Sequence, residues 1–230
     1  YVASQLEPTL QVFYLPTGEE LYAFPLEGRV PKFYLLDDLV ILPYYDNFHP
    51  WSRDFEMVDS VAFLNPTTFS RWNIEGKIKK PLHILRMEAG KYLVVGYLDN
   101  AIWRVDWGQK EVTEFVSWKG HSHIMDVALF AGRIAISSMS EDDLFYVDPT
   151  SKELKRIALG GGIIELEPYR DQYLFVAGNF DNALYVLNAQ YGLVETWPLK
   201  EYPIAMKTYG NRLVVLNMDH PILAIYEIGR

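Results

Sequence analysis

The sequence predicts an all-β fold, a β-propeller of about six repeat units with four short strands each, in which the first and last units are incomplete. Short apolar runs end in an acid or an amide, and these end residues lie 39 to 42 residues apart: Asn65, Asp106, Asp148, Asn188 and Glu227. A turn pair that begins with Asp lies one strand earlier in the units, and no window of about ten residues reads as a capped amphipathic helix. A helix-free repeat of about 40 residues with this many strands is the pattern of propeller blades.

Composition narrows the class of protein. The chain has 230 residues, of which 50% are hydrophobic and 22% are charged, so it can bury a large core and is not disordered. Its formal net charge of −9 argues against a nucleic-acid backbone as the main partner, because such a partner needs a clustered basic surface. The chain contains no cysteine, which excludes disulfides, a thiol nucleophile and thiolate-bound metal. No apolar run reaches the roughly 18 residues of a membrane-spanning helix.

The repeat units follow one another without an evident linker. The first unit, residues 1–28, supplies second, third and fourth strands, and the last, residues 201–230, supplies first, second and third strands. Four full units lie between them, over residues 29–78, 79–119, 120–160 and 161–200. We expect residues 1–230 to form a single propeller domain or a segment of one.

The strand count leaves two kinds of closure open. One is a ring of six blades whose end blades are each one strand short, and the other is a larger ring that needs further chain or another subunit. The chain opens on Tyr1 rather than Met and shows no targeting segment. We therefore expect a processed or excerpted piece of a longer protein.

The second unit contains the largest irregularity of the repeat. Its connection between the second and third strands runs from Tyr44 to Met57 and is about a dozen residues longer than the others. Long loops in compact domains tend to be functional, and exposed aromatic residues beside charged ones are typical of interface hot spots. We predict that this loop binds a protein partner through Tyr44, Tyr45, Phe48, His49, Trp51, Arg53 and Phe55. The alternative is that its aromatic side chains fold back and cover the mouth of the central channel.

The third unit shows the blade pattern most clearly. Strands are predicted over residues 82–87, 92–97, 101–106 and 112–118. The intervening turns contain Gly90, Asn100 and Gly108, and such residues tolerate the positive φ of tight hairpin connections. Residues midway along the second strands are predicted to be buried between neighbouring blades, namely Val94, Ile134, Phe175 and Val214.

The fourth unit begins with imidazoles close to a carboxylate. His121 and His123 lie two residues apart, so on a strand both side chains face the same way and could reach one metal ion. Asp126 aligns with Glu165 of the fifth unit, and Glu167 faces the same side as Glu165. These residues form an alternative site for a divalent cation or for acid–base chemistry. Because spacing alone does not make side chains converge, we predict no metal, no cofactor and no catalytic residue here, and expect hydrogen bonds between blades instead.

Two further patterns have a functional and a structural interpretation. Acids recur in the turns between second and third strands, namely Asp46, Asp99, Asp142, Asp181 and Asp219. They could form a rim that attracts cations, but Asp is also a good turn residue, and we favour that interpretation. The Gly160-Gly161-Gly162 run lacks the helix and the Lys-Ser/Thr pair of a phosphate-binding loop, so we predict a tight crossing between blades.

The fifth unit resembles a known family. Residues 173–179, YLFVAGN, followed by residues 182–188, NALYVLN, are similar to the repeat of YVTN-type β-propellers, in which a YV-N strand, a turn with Asn and a V-V-D strand recur. Residues 92–106 and 1–4 match in part. The resemblance implies a fold rather than an activity. Because YVTN repeats occur in archaeal and bacterial surface proteins and in heavy subunits of some periplasmic dehydrogenases, it also implies an extracellular, cell-surface or periplasmic location.

The sequence favours a non-catalytic interaction or structural module that binds a protein partner or ligand, or assembles with itself, through one face. The regular blades, the aromatic loop and the 16 tyrosines support this function, since tyrosine can pack and hydrogen-bond at once. One alternative is a propeller enzyme, such as a lactonase-like hydrolase, that uses the His/Asp/Glu site. The other is a non-catalytic subunit of a periplasmic dehydrogenase.

Overall fold

The computed structural model describes residues 2–3, 9–14, 16–25, 30, 33–44, 59–68, 70–119, 123–139, 142–218 and 223–229. Within these ranges the chain forms 22 β-strands in six antiparallel sheets and no helix. The described residues include no helix long and apolar enough to span a membrane. Among the described sheets, four have four strands, whereas the first and the last have three. The strands of each sheet pair in sequence order, which is the topology of a propeller blade and confirms the predicted fold class.

The chain divides into two compact parts, and the N-terminal part comprises residues 1–117. It contains three blades. The strands of the first are β1 (Val2–Ala3), β2 (Thr9–Tyr14) and β3 (Glu19–Pro25). Those of the second are β4 (Tyr34–Leu36), β5 (Leu39–Tyr44), β6 (Ser60–Leu64) and β7 (Arg71–Glu75). Those of the third are β8 (Pro81–Glu88), β9 (Lys91–Gly96), β10 (Ala101–Asp106) and β11 (Glu111–Ser117).

The C-terminal part comprises residues 118–230 and contains the other three blades. The fourth blade consists of β12 (Ile124–Phe130), β13 (Arg133–Ser138), β14 (Asp143–Val147) and β15 (Leu154–Ala158). The fifth consists of β16 (Ile163–Tyr169), β17 (Tyr173–Gly178), β18 (Ala183–Asn188) and β19 (Leu193–Pro198). The sixth consists of β20 (Pro203–Tyr209), β21 (Arg212–Asn217) and β22 (Leu223–Glu227). That all six blades form one domain stays a prediction.

The residues that mark the repeat occupy equivalent positions, at or just after the end of each third strand. In four of the blades the side-chain Oδ1 of the marker accepts backbone N–H groups of the following turn at 2.9 or 3.0 Å; these markers are Asn65, Asp106, Asp148 and Asn188. The repeat therefore conserves a turn cap, for which the short Asp and Asn side chains are suited.

The core lies between neighbouring blades within each part of the chain. In the N-terminal part, Phe63 and Val94 belong to one cluster formed by the second and third blades. In the C-terminal part, Phe175 packs with residues of the sixth blade that include Leu213 and Val215. Aliphatic and aromatic side chains on facing sheets therefore supply the burial that holds successive blades together.

Three of the four predicted core positions are confirmed, because Val94, Ile134 and Phe175 are fully buried. The prediction for Val214 is wrong, since this side chain is only half-buried. Successive side chains of a strand point to opposite faces, and here Leu213 and Val215 face the fifth blade. Val214 points away from the fifth blade, to the other face of its sheet.

A β-bulge recurs at the start of the first strand in the third to sixth blades. The pairing register shifts at one residue in each of them, namely Leu82, Met125, Ile164 and Ile204. The residue after the bulge is His83, Asp126, Glu165 and Ala205, respectively. Asp126 and Glu165 thus occupy equivalent positions, which agrees with their alignment by sequence.

Candidate functional site

The loop predicted to bind a partner lies almost wholly outside the described residues. Tyr44 ends β5, and the structure resumes at Asp59. The positions outside the described residues include Tyr45, Phe48, His49, Trp51, Arg53 and Phe55. The binding role of this loop stays a prediction.

The carboxylate of Asp126 connects the first strands of two neighbouring blades. Asp126 lies on β12, and its Oδ2 accepts the backbone N–H of Leu166 on β16 at 2.8 Å. Its Oδ1 accepts the N–H of Val127 at 2.8 Å. Both oxygens are therefore engaged by backbone donors, as expected of an acid that stabilises the packing of blades.

Glu167 repeats this arrangement one blade further on. It lies on β16 and is 5% exposed. Its Oε1 accepts the backbone N–H of Thr208 on β20 at 2.8 Å and the Thr208 hydroxyl at 2.6 Å, and its Oε2 accepts from Lys207 Nζ at 2.9 Å. A buried carboxylate costs free energy unless it has such donors. Sequence reasoning placed Glu167 beside a possible site, and the structure gives it a role between strands.

The alternative His/Asp/Glu site is described in part. His121 lies outside the described residues, whereas His123, Asp126 and Glu165 lie within them. Among the residues that the structure describes, no group of three His, Asp or Glu side chains has an arrangement that could hold a metal ion. His123, Asp126 and Glu165 thus form no such group, and any contribution of His121 stays a hypothesis.

The acids of the turns between second and third strands bind their own blade or the adjacent connection. Asp99 Oδ2 accepts the indole N–H of Trp103 at 2.7 Å and the backbone N–H of Lys79 at 3.2 Å. Asp142 Oδ1 accepts the N–H of Gly162 at 2.9 Å. Two further acids of this set, Asp46 and Asp219, lie outside the described residues. Asp99 and Asp142 thus act as structural turn residues.

The triple glycine forms a tight crossing from the fourth blade to the fifth. Gly160, Gly161 and Gly162 all have positive φ, at 88°, 84° and 59°. A Cβ at Gly161 would lie 2.2 Å from Oδ1 of Asp181, and one at Gly162 would lie 2.6 Å from the ring of Phe180. Glycine is required here by backbone conformation and by close approach, in line with the predicted crossing.

Sequence reasoning missed a group of exposed apolar side chains, which we call the turn-face patch. It consists of Phe180, Tyr202 and Met218, which are 64%, 39% and 66% exposed. Phe180 and Met218 follow the second strands of the fifth and sixth blades, and Tyr202 lies in the connection between these blades. The N–H of Met218 donates to the carbonyl of Tyr202 at 2.9 Å, so the two residues are adjacent. A signal was present, because an apolar residue directly precedes the turn acid in both blades.

No family model and no curated protein matches the chain. Solved structures do resemble it. A streptogramin B lyase matches with a TM-score of 0.72 at 8% identity, over 96% of this chain and 76% of that one. A chain of a mitotic checkpoint complex matches with a TM-score of 0.75 at 10% identity, over 95% and 68% of the two chains. The WD40 domain of Neurospora crassa Pan2 matches with a TM-score of 0.63 at 13% identity, over 86% and 63%.

These similarities show the fold, a β-propeller, and no activity. Enzymes and non-catalytic WD40 modules both occur among the similar structures. The YVTN-type family stays a resemblance of the blade pattern.

Proposed function

We propose that the chain is a non-catalytic β-propeller module that binds a protein partner through the blade ends that carry the turns between second and third strands. The turn-face patch is the observation that carries this proposal. Its three large apolar side chains lie at the same ends of the fifth and sixth blades and are 39% to 66% exposed. Apolar groups exposed together on a folded protein mark interaction sites, and aromatic residues and Met are enriched at the cores of interfaces.

The state of the acids supports a non-catalytic role. A general base must reach the proton that it abstracts from a substrate. The oxygens of Asp126 and Glu167 instead accept hydrogen bonds from neighbouring first strands. Their arrangement serves the packing of blades and engages the oxygens that a general base would need for a substrate proton.

The loop from Tyr44 to Glu56 is the proposed counterpart in the N-terminal part. It joins the second and third strands of its blade, the same type of connection that carries Phe180 and Met218. Its aromatic content suits a partner-binding loop. The resemblance to YVTN-type repeats supports an extracellular, cell-surface or periplasmic setting for this binding.

Site-specific photo-crosslinking in the native host tests the proposal. A benzoylphenylalanine replaces Phe180 in one variant and Tyr209 in a matched control, because Tyr209 is an aromatic residue, 83% exposed, at the opposite end of the first strand of the sixth blade. We expect one discrete protein adduct from position 180 and none from position 209. Met218→Ser should abolish that adduct without a change in melting temperature.

Equal adducts from both positions, or an adduct that Met218→Ser leaves intact, would contradict binding at the turn-face patch. The enzyme alternative gains support instead if Asp126→Asn or His123→Ala abolishes a hydrolytic activity of the purified protein while its melting temperature is retained.

A further inference from the structure

A cluster of aromatic rings lies between the second and third blades of the N-terminal part. Phe63, on β6, is fully buried. Its ring centroid lies 5.6 Å from that of Trp72, on β7, and 5.9 Å from that of Trp107, which follows β10. The two indoles lie 6.3 Å apart at an interplanar angle of 51° and are half-buried. Phe63 thus packs against both indoles at interplanar angles of 32° and 29°, and the two half-buried indoles reach the surface.

An ammonium group lies beside the two indoles. Lys110 Nζ lies 2.7 Å from the ring centroid of Trp107 and 5.3 Å from that of Trp72. Both distances fall within the range of cation–π attraction. Within the part of the chain that the structure describes, this ammonium makes no hydrogen bond or ion pair. The rings are the groups that hold it.

Lys110 is a poor chemical match for this position. A primary ammonium has three hydrogen-bond donors, and the ring faces satisfy none of them as water would. The rings remove part of its water shell, and this desolvation lowers the pKa of Lys110. A quaternary ammonium has no N–H donor and is held in proteins by aromatic faces, so it loses less on leaving water.

We propose that Trp72 and Trp107 form a binding site for a quaternary ammonium group, and that the side chain of Lys110 fills this site until such a ligand displaces it. Lys110 lies in the turn before β11 and its side chain is exposed, so it can leave the rings without any change in the strands. The backbone N–H of Trp107 donates to the Gly90 carbonyl at 2.9 Å, and the Phe63 ring packs against both indoles. This inference does not depend on the proposed function.

A second lysine in the same part of the chain contacts an indole in a different way. Lys77 Nζ lies 5.3 Å from the ring centroid of Trp103, but it also donates to the carbonyl of Val112 at 2.6 Å. It therefore has a partner suited to a primary ammonium and contacts a single indole. This contact makes Lys77 the matched control for Lys110.

The test uses choline as the probe and 3,3-dimethyl-1-butanol as its neutral isostere, with binding followed by the indole N–H shifts of ¹⁵N-Trp-labelled protein. The key variant is Lys110→Asn, because Lys110 has a φ of 57°, which Asn tolerates. We expect Lys110→Asn to bind choline at least about tenfold more tightly than the wild type, because a tethered competitor acts at millimolar effective concentration. The shifts should belong to Trp72 and Trp107.

Lys110→Arg, which keeps a cation over the rings, and Lys77→Asn should both bind choline as the wild type does. Trp107→Leu in the Lys110→Asn background should lose binding. The proposal is overturned if Lys110→Asn shows no saturable choline shift, if Lys77→Asn gains as much affinity, or if the neutral isostere binds as well as choline. Lys110→Gly, which also accepts a positive φ, replaces Lys110→Asn if that variant does not fold.

Discussion

Asp126 Oδ2 accepts the backbone N–H of Leu166 at 2.8 Å, across 40 residues of sequence. The distance along the chain is one repeat, so the bond joins equivalent strands of successive blades. Glu167 and Thr208 make the same connection across 41 residues. Asp126 is equivalent to Glu165 in the next blade and bonds to the residue after it. Glu167 is equivalent to Lys207 and likewise bonds to the residue after it. The two acids therefore make the same kind of connection between first strands.

The first prediction is that this connection contributes to stability. Glu167→Ala leaves the N–H and hydroxyl of Thr208 without their acceptor in a partly buried position, so we expect a loss of about 1–3 kcal/mol in the free energy of unfolding. Lys207→Ala should cost less than about 1 kcal/mol, because the Lys207 side chain is 80% exposed and its ion pair is screened by solvent. Urea denaturation measures both values. Equal losses for the two variants would show that the ion pair, and not the bonds to Thr208, stabilises the strands.

The second prediction concerns two adjacent valines of β21. Val215 is fully buried against the fifth blade, whereas Val214 is half-buried on the other face. Val215→Ala should lower the free energy of unfolding by about 2–3 kcal/mol through lost burial and the remaining cavity, and Val214→Ala by less than about 1 kcal/mol. Because both residues are valines on the same strand, a difference between the two variants reports the difference in burial alone. The reverse order of the denaturation midpoints would mean that the faces of β21 are assigned wrongly.

Several features of the fold could be predicted from the sequence because they repeat. The spacing of Asp106 and Asp148 indicated one blade per repeat, and in the structure both residues cap a turn. The exposure of Val214 could not be predicted, because Val214 is equivalent to Phe175 in the repeat and the strand pattern does not state what covers that face of β21. The turn-face patch was missed for a related reason: Phe180 and Met218 look like ordinary apolar residues until their exposure is known. A hydrogen bond from Asp126 to a neighbouring blade was expected, but the spacing of residues in the sequence could not identify the backbone N–H of Leu166 as its donor.

The third prediction concerns the pH dependence of a turn cap. Hydrogen bonds from the backbone of Ser151 and Thr150 lower the pKa of Asp148 below its ordinary value of 3.8. A carboxyl whose pKa is depressed in the folded state adds stability above its unfolded pKa and loses it as the pH falls through the folded value. We expect the melting temperature of Asp148→Asn to depend less on pH than that of the wild type below pH 3.8. Parallel acid profiles for the two proteins would contradict a stabilising role of the charge.

The fourth prediction compares two glycines to separate the cost of a positive φ from the cost of a steric clash with a neighbouring side chain. Gly132 has a φ of 73° and open space where a Cβ would lie, whereas the Cβ at Gly161 would meet Asp181. Gly132→Ala should cost about 1–2 kcal/mol, which is the penalty of a left-handed residue. Gly161→Ala should cost more, and Asp181→Ala in the same chain should recover part of the loss. Calorimetric melting of the single and double variants checks this, and additive effects would argue against a clash at position 161.

The last prediction decides between the partner loop and the histidine site. Phe48→Ala together with Trp51→Ala should weaken the complex with the protein partner by about 2–4 kcal/mol, as expected for aromatic hot spots, with the melting temperature nearly unchanged. His121→Ala together with His123→Ala should cause a modest loss of stability and leave the complex intact. Both variants are compared by the yield of the complex isolated from the native host and by metal content. If the histidine pair instead releases a stoichiometric metal ion or abolishes an activity, the enzyme alternative replaces the interaction module, because only convergence of His121 and His123 with a third ligand explains that result.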